Sequence, residues 1–170
     1  MKSGVECEYF LISQNGTSIA DLRDTQSKPC YDQSALMRKY DLIKEICDSM
    51  IKLGWEPYQN DHEDANGQYE VNFDYADALT TCDRITFFKM ATSQIAKKYC
   101  AIATHMAKPF GDRTGSGLHV HFHLADAESG KCVFDDSSDA RGLGCSQLGY
   151  HFVGGILKHA RALCAVASPT

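Results

Sequence analysis

The sequence predicts an α+β domain: a largely antiparallel sheet with helices packed on one side. Three observations lead there. Segments of strand period and of helix period share one chain, since "GVECEYFLI" and "LHVHFH" alternate while the apolar residues between Ala35 and Leu53 recur at three or four positions. An Asn-Gly pair at Asn66 and Gly67 sits between two short extended segments, which is the signal of an antiparallel hairpin. A length of 170 residues, 44% hydrophobic and 23% charged, suffices for one buried core.

Taken in order, residues 4–12 form a first strand, and "TSIADLRDTQSKPCYDQS" is a polar, turn-rich excursion. Leu36, Met37, Tyr40, Ile43, Cys47, Met50 and Ile51 define an amphipathic helix over 35–53 that Gly54 stops. The segment from Trp55 leads into the hairpin, whose second strand is read as Gln68 to Tyr75. Asp83 is expected to cap a helix running to about Tyr99. "AIATHMAKP" is a strand ended by Pro109, followed by a loop, the histidine strand, a short "KCVF" strand and a last helix over Gln147 to Ala167. No repeat or low-complexity linker divides the chain.

Composition excludes several function classes. No apolar run approaches the roughly 20 residues that span a bilayer, and the first residues carry glutamates where a signal peptide is apolar. A cytoplasmic, non-membrane protein is the expectation. A net charge of -5 without a Lys/Arg cluster argues against nucleic acid. The eight cysteines are scattered singly, with no C-x-x-C pair, and are read as reduced thiols, those at Cys7, Cys47, Cys100 and Cys164 lying within apolar patterns.

The chemistry-bearing residues are acidic and imidazole groups. Glu6 and Glu8 occupy one face of a strand, about 7 Å apart by strand geometry. Glu63 and Glu70 bracket the hairpin turn, which brings them to neighbouring strands. His119, His121 and His123 alternate after the turn "GSG", so their rings share a face. Four glutamates with strand histidines make a cation site, and hard carboxylate oxygens favour Mg²⁺ or Mn²⁺. A zinc site built from the three histidines is the competing reading, which leaves the glutamates unexplained. The glycines at 115 and 117 let backbone approach a ligand and offer amide donors to an anion.

Four segments in this order, "GVECEYFL", "NDHEDANGQYEVNF", "THMAKPFGDRTGSGLHVHFHL" and "GGILKHARALCAVASPT", resemble the catalytic domain of the glutamine synthetase family. The wording around "YQNDHEDANGQYE" is similar to the branch that includes ligases joining glutamate to methylamine. The resemblance implies an ATP-dependent ligase working with two or more divalent cations, Mg²⁺ or Mn²⁺, in which glutamate is activated as γ-glutamyl phosphate and ammonia or an amine then displaces phosphate. By position, Glu8, Glu63 and Glu70 match the ligands of one metal, and Glu6 with His119 those of the other. His121 matches a contact to nucleotide phosphates, Tyr75 a position near adenine, and His123 a neighbouring nucleotide position. Thr114 and Gly115 match the loop that holds glutamate. His123, Thr114 and Tyr58 stand where many members carry serine, asparagine and glutamate.

The resemblance further implies that residues 1–170 are a partial catalytic domain, without the amino-terminal β-grasp domain and the carboxy-terminal segment. The parent protein is then a ring-shaped homo-oligomer, and the chain is inactive alone. A glutamate-methylamine ligase and a non-catalytic relative remain as alternatives. Outside these motifs, His62 is either an orienting group or a solvated turn residue, and His105, His151 and His159 are structural. Trp55 anchors the end of the long helix on the sheet, Lys108 is a surface lysine, and Asp61, Asp64 and Asp74 are turn or rim charges.

Overall fold

The structure is a computed structural model that describes residues 1–168; Pro169 and Thr170, the end of the fourth motif, lie outside the described residues. The elements are β1 (Lys2–Ser13), α1 (Gln33–Arg38), α2 (Tyr40–Lys52), β2 (Pro57–His62), β3 (Gln68–Phe73), β4 (Ala76–Asp77), α3 (Ala78–Lys98), β5 (Ala101–Thr104), β6 (Leu118–His123) and α4 (Gln147–Ala167). They divide into two compact units, Ser3–His121 and a second made of Met1–Lys2 with the residues from Phe122 onward.

In the larger unit β1 is the spine of a six-stranded sheet. The path runs β2-β3-β1-β4, and β5 and β6 also pair with β1. Phe10 faces Gln68 of β3 on one side and Thr104 of β5 on the other, both antiparallel, so the strand is hydrogen-bonded along both edges. Alternation then sorts its side chains. Val5, Cys7, Tyr9 and Leu11 join a core with Leu42, Ile43, Ile46 and Met50 of α2 and with Phe88, Ile95 and Ala96 of α3. Leu11 and Tyr9 are wholly buried there. The even face, with Glu6 and Glu8, is turned away from the helices.

Several boundaries differ from the sequence expectation. The helix expected over 35–53 is two helices, because Lys39 leaves helical geometry (φ -110°, ψ 13°) and its amide closes onto Leu36 and Met37. The ends of this break are tied to the excursion loop, where Arg38 Nε donates to Asp21 at 2.5 Å and Lys39 Nζ to the Ala20 carbonyl. α3 begins five residues before Asp83: Asp77 holds the cap position, and the Thr81 hydroxyl donates to the Ser3 carbonyl at 2.9 Å, fastening the first turn to β1. The strand expected to reach Pro109 stops at Thr104. Trp55 anchors as expected, packed on Phe73 of β3 and Phe87 of α3.

In the smaller unit "KCVF" forms only an isolated bridge, Cys132 to Ala125, and not a strand; a second bridge joins Asp135 to Cys145. The loop is instead held by aspartates. The Asp139 carboxylate accepts from the amides of Arg141, Leu143 and Cys145 and from the Tyr150 hydroxyl. α4 starts at its expected residue, capped by Ser146, whose hydroxyl accepts from the Gly149 amide. Phe122, Phe134 and Phe152 form an aromatic contact chain within this unit. All eight cysteines are free thiols, as expected, but Cys100 and Cys164 are exposed rather than packed in a core.

Candidate active site

The hairpin and β1 build the site by register. Glu8 lies opposite Glu70, and Glu70 lies opposite Asp61 on the other side, so one row across three strands carries three carboxylates on the even face. The turn that sets this register requires glycine: Gly67 has φ +80°, and a Cβ there would come within 2.6 Å of Ile19. Glu63 follows directly after β2 and returns to the same row.

Two overlapping groups of ligand atoms result. Glu6, Glu70 and His119 offer atoms all within 4.8 Å of one another, and so do Asp61, Glu63 and Glu70. Glu70 is common to both. Like charges at about 4 Å repel by about 4 kcal/mol at an effective dielectric near 20, so these carboxylates cannot all ionise comfortably side by side. Burial and the charges of Glu70, Glu8, Asp61 and Asp64 push the Glu63 carboxyl up to about 7. Burial, with Glu6, Glu8 and Asp61, also raises Glu70 despite a hydrogen bond from Asn72. A divalent cation relieves such repulsion. The donor set of carboxylate oxygens with one imidazole fits Mg²⁺ or Mn²⁺ rather than a three-histidine zinc site.

Histidines do part of this neutralisation themselves. Both oxygens of Glu6 are engaged, one by His119 Nδ1 at 2.6 Å and one by His121 Nε2 at 2.7 Å. These contacts hold Glu6 below the usual carboxylate range, and the Glu6 contact raises His119. The strand reading that His119 and His121 share a face therefore holds, although both turn to a carboxylate. His123 falls in the smaller unit.

The loop before β6 docks on the hairpin. Gln68 Nε2 donates to Glu8 Oε2 at 2.6 Å and to the Gly115 carbonyl at 3.0 Å, and the Gly117 amide donates to the same Glu8 oxygen at 2.9 Å. The amide that the sequence offers to an anion thus serves the protein's own carboxylate. Glu8 is in neither of the compact ligand groups: one of its oxygens is occupied by these donors. Thr114 is exposed, and Tyr75 is 66% exposed just beyond β3.

Asp61, Asp24 and the contacts of Gln68 escape the sequence reading, and of the two readings of His62 the solvated one falls. Asp61 is not a rim charge but a buried member of β2 at 9% exposure, within reach of Glu63 and Glu70. The hairpin register, counted outward from Asn66-Gly67, is the signal that places it. His62 is not solvated: it is buried, with Nε2 2.6 Å from Asp24 and Nδ1 3.0 Å from the Glu63 carbonyl. Both ring nitrogens face acceptors, and the Asp24 contact raises His62 against the effect of burial. Asp24 also accepts from Asn66 Nδ2 and the Gly67 amide. Nothing in the local sequence signals that partner, nor the contacts of Gln68. His105 is structural as expected, held by Thr92 and pulled down to about 4 by burial and by Lys89.

Comparison with known proteins bears on the family. The sequence model described as "Glutamine synthetase, catalytic domain" matches residues 1–170. Over its whole length the chain is 54% identical to a glutamine synthetase of Rhizobium meliloti, and over 99% of its length 44% identical to a glutamate-methylamine ligase of Methyloversatilis universalis. It spans 39% and 38% of those two proteins. A solved structure of a GmaS/ADP complex superposes with a TM-score of 0.94 at 53% identity, covering 99% of this chain and 38% of the other. A family model that matches residues 1–170 shows it: the chain belongs to the glutamine synthetase family.

Proposed function

We propose that the protein is an ATP-dependent carbon-nitrogen ligase that forms glutamine from glutamate and ammonia through γ-glutamyl phosphate. The observation that carries this reading is the pair of ligand groups joined at Glu70, an arrangement suited to two neighbouring divalent cations. On this reading Glu6, Glu70 and His119 hold one Mg²⁺ or Mn²⁺, while Glu8, Glu63 and Glu70, with Asp61 beside them, hold another. Such cations screen the phosphates of ATP and leave its terminal phosphorus open to attack. His121 meets the phosphates, and Tyr75 and His123 line the nucleotide. Thr114 and Gly115 hold glutamate so that its γ-carboxylate attacks the terminal phosphorus and ADP departs. Ammonia or an amine then displaces phosphate from the γ-glutamyl phosphate.

A second reading, a glutamate-methylamine ligase, is favoured by the 44% identity to the relative of that name. The intact protein is a ring-shaped homo-oligomer, for which exposed Val153, Leu157 and Val166 on α4 offer apolar surface. The free thiols fit a cytoplasmic setting, and no helix among the described residues is long and apolar enough to cross a membrane.

The test is product analysis with the intact protein, ATP, Mn²⁺ and glutamate, offered ammonium or methylamine. Glutamine and phosphate in equal amounts support the first reading, and γ-glutamylmethylamide the second. Glu70→Ala should lower turnover by more than about 100-fold, beyond what loss of a supporting contact produces. Full turnover in that variant overturns the cation-site reading.

A further inference from the structure

Gln68 is the first residue of β3 and is wholly buried, with 0% exposure. A glutamine amide has a carbonyl acceptor and two N–H donors, and here all are in use. Oε1 accepts from the Ala65 amide at 3.1 Å, inside the hairpin turn. Nε2 gives one hydrogen to Glu8 Oε2 and the other to the Gly115 carbonyl. The reverse orientation would set Oε1 against a carboxylate and a carbonyl, so the hydrogen-bond network assigns the amide uniquely. The Gly117 amide takes up Glu8 Oε2 as well, which makes Oε1 the oxygen through which Glu8 can reach a cation.

The other end of this link is equally constrained. A Cβ on Gly115 would lie 2.6 Å from the Ala107 carbonyl, and the Ser116 amide donates to that carbonyl at 2.8 Å. The loop from 107 to 117 is therefore closed on itself, and Gln68 ties its Gly115 carbonyl to β1 and the hairpin. A cation on Glu8 fixes the carboxylate, the carboxylate fixes the amide, and the amide fixes the carbonyl of the loop. Ordering one end lowers the cost of ordering the other, which is a coupling free energy between two sites.

We propose that Gln68 is a positioning residue that couples cation binding at Glu8 to amino-acid binding at the Gly115 loop. The proposal rests on the reading that Glu8 serves a cation and that this loop holds glutamate. In the intact protein, glutamate should tighten Mn²⁺ binding by about 5- to 20-fold, the lower part of the usual range for linked sites, and Mn²⁺ should tighten glutamate by the same factor.

Two variants test it. Gln68→Glu keeps the acceptor for Ala65 but sets a carboxylate against Glu8 and the Gly115 carbonyl, and Gln68→Met removes donors and acceptor at similar volume. Free Mn²⁺, read by its paramagnetic resonance signal, is titrated with and without glutamate, and KM and kcat for glutamate are measured at low and saturating Mn²⁺. In both variants the linkage should fall to about 2-fold or less, with KM for glutamate raised more than kcat is lowered. Wild-type linkage in a variant with native circular dichroism overturns the proposal, and so does failure of both variants to fold, which would make Gln68 a structural residue only. Mn²⁺ binding unaffected by Glu70→Ala counts against the functional reading and not against the coupling.

Discussion

Replacing Asp24 by alanine withdraws one acceptor from three donors at once: His62 Nε2, Asn66 Nδ2 and the Gly67 amide. The side chains of Asp24 and His62 are 0% exposed, so water does not replace what is lost. Burial alone would raise Asp24 and lower His62, but their mutual hydrogen bond and charge outweigh it, leaving Asp24 lowered and His62 raised. Removing one partner of such a pair leaves a buried charge uncompensated, a loss of about 3–5 kcal/mol. For 170 residues, unfolding entropy of about 0.36 kcal/mol/K converts this to a Tm drop of about 8–14 °C. Urea and thermal unfolding of Asp24→Ala, His62→Phe and the double variant give a double-mutant cycle, in which the coupling should be at least about 1.5 kcal/mol. A loss below about 1 kcal/mol for Asp24→Ala, or coupling below about 0.5 kcal/mol, would refute a buried ion pair beneath Glu63.

Three further outcomes follow from the same geometry. Glu63→Gln should stabilise the chelator-treated protein at pH 8 by about 1–2 kcal/mol, because a carboxyl raised to about 7 costs stability progressively above the ordinary glutamate value and in full above about 7, and solvent screening discounts the full shift. The same variant should lose the Tm gain that Mn²⁺ gives the wild type; calorimetry with and without metal checks both signs. Gly115→Ala should raise KM for glutamate and cost about 1–3 kcal/mol, since its Cβ would press on the Ala107 carbonyl at 2.6 Å; an unchanged KM would show that the loop can shift freely. Asp139 is held at about 2, chiefly by Tyr150 and loop amides. Its depressed carboxyl stabilises the loop fully above the ordinary aspartate value and loses that effect as pH falls toward 2. Limited proteolysis of residues 135–146 should therefore be slow at pH 4 and fast near pH 2, while Asp139→Ala should be cut readily at neutral pH.

How much was legible in the sequence varies with the range of the interaction. The Asn66-Gly67 turn and the alternation of β1 are local, and both the hairpin and the face bearing Glu6 and Glu8 follow from them. The breaks were not legible where tertiary bonds decide them. Lys39 interrupts a helical pattern because the excursion loop, with Asp21 and the Ala20 carbonyl, holds both sides of the break. Asp83 resembles a cap, yet Thr81 bonds to Ser3, 78 residues away, and the helix starts earlier. Local propensity is a weak preference that such contacts override.

The sequence by itself determined which residue types face which side of β1 and where the hairpin turns. Those assignments depend on backbone periods of two and on short turns, which the chain specifies locally. Only the tertiary structure decided that Glu70 joins two ligand groups, that Asp61 enters one of them, and that His62 is buried against Asp24. It alone brought Gln68 to Gly115, 47 residues onward. Contacts of that range depend on sheet register and loop closure, and the charge states they impose depend on burial and neighbours, neither of which a linear pattern carries.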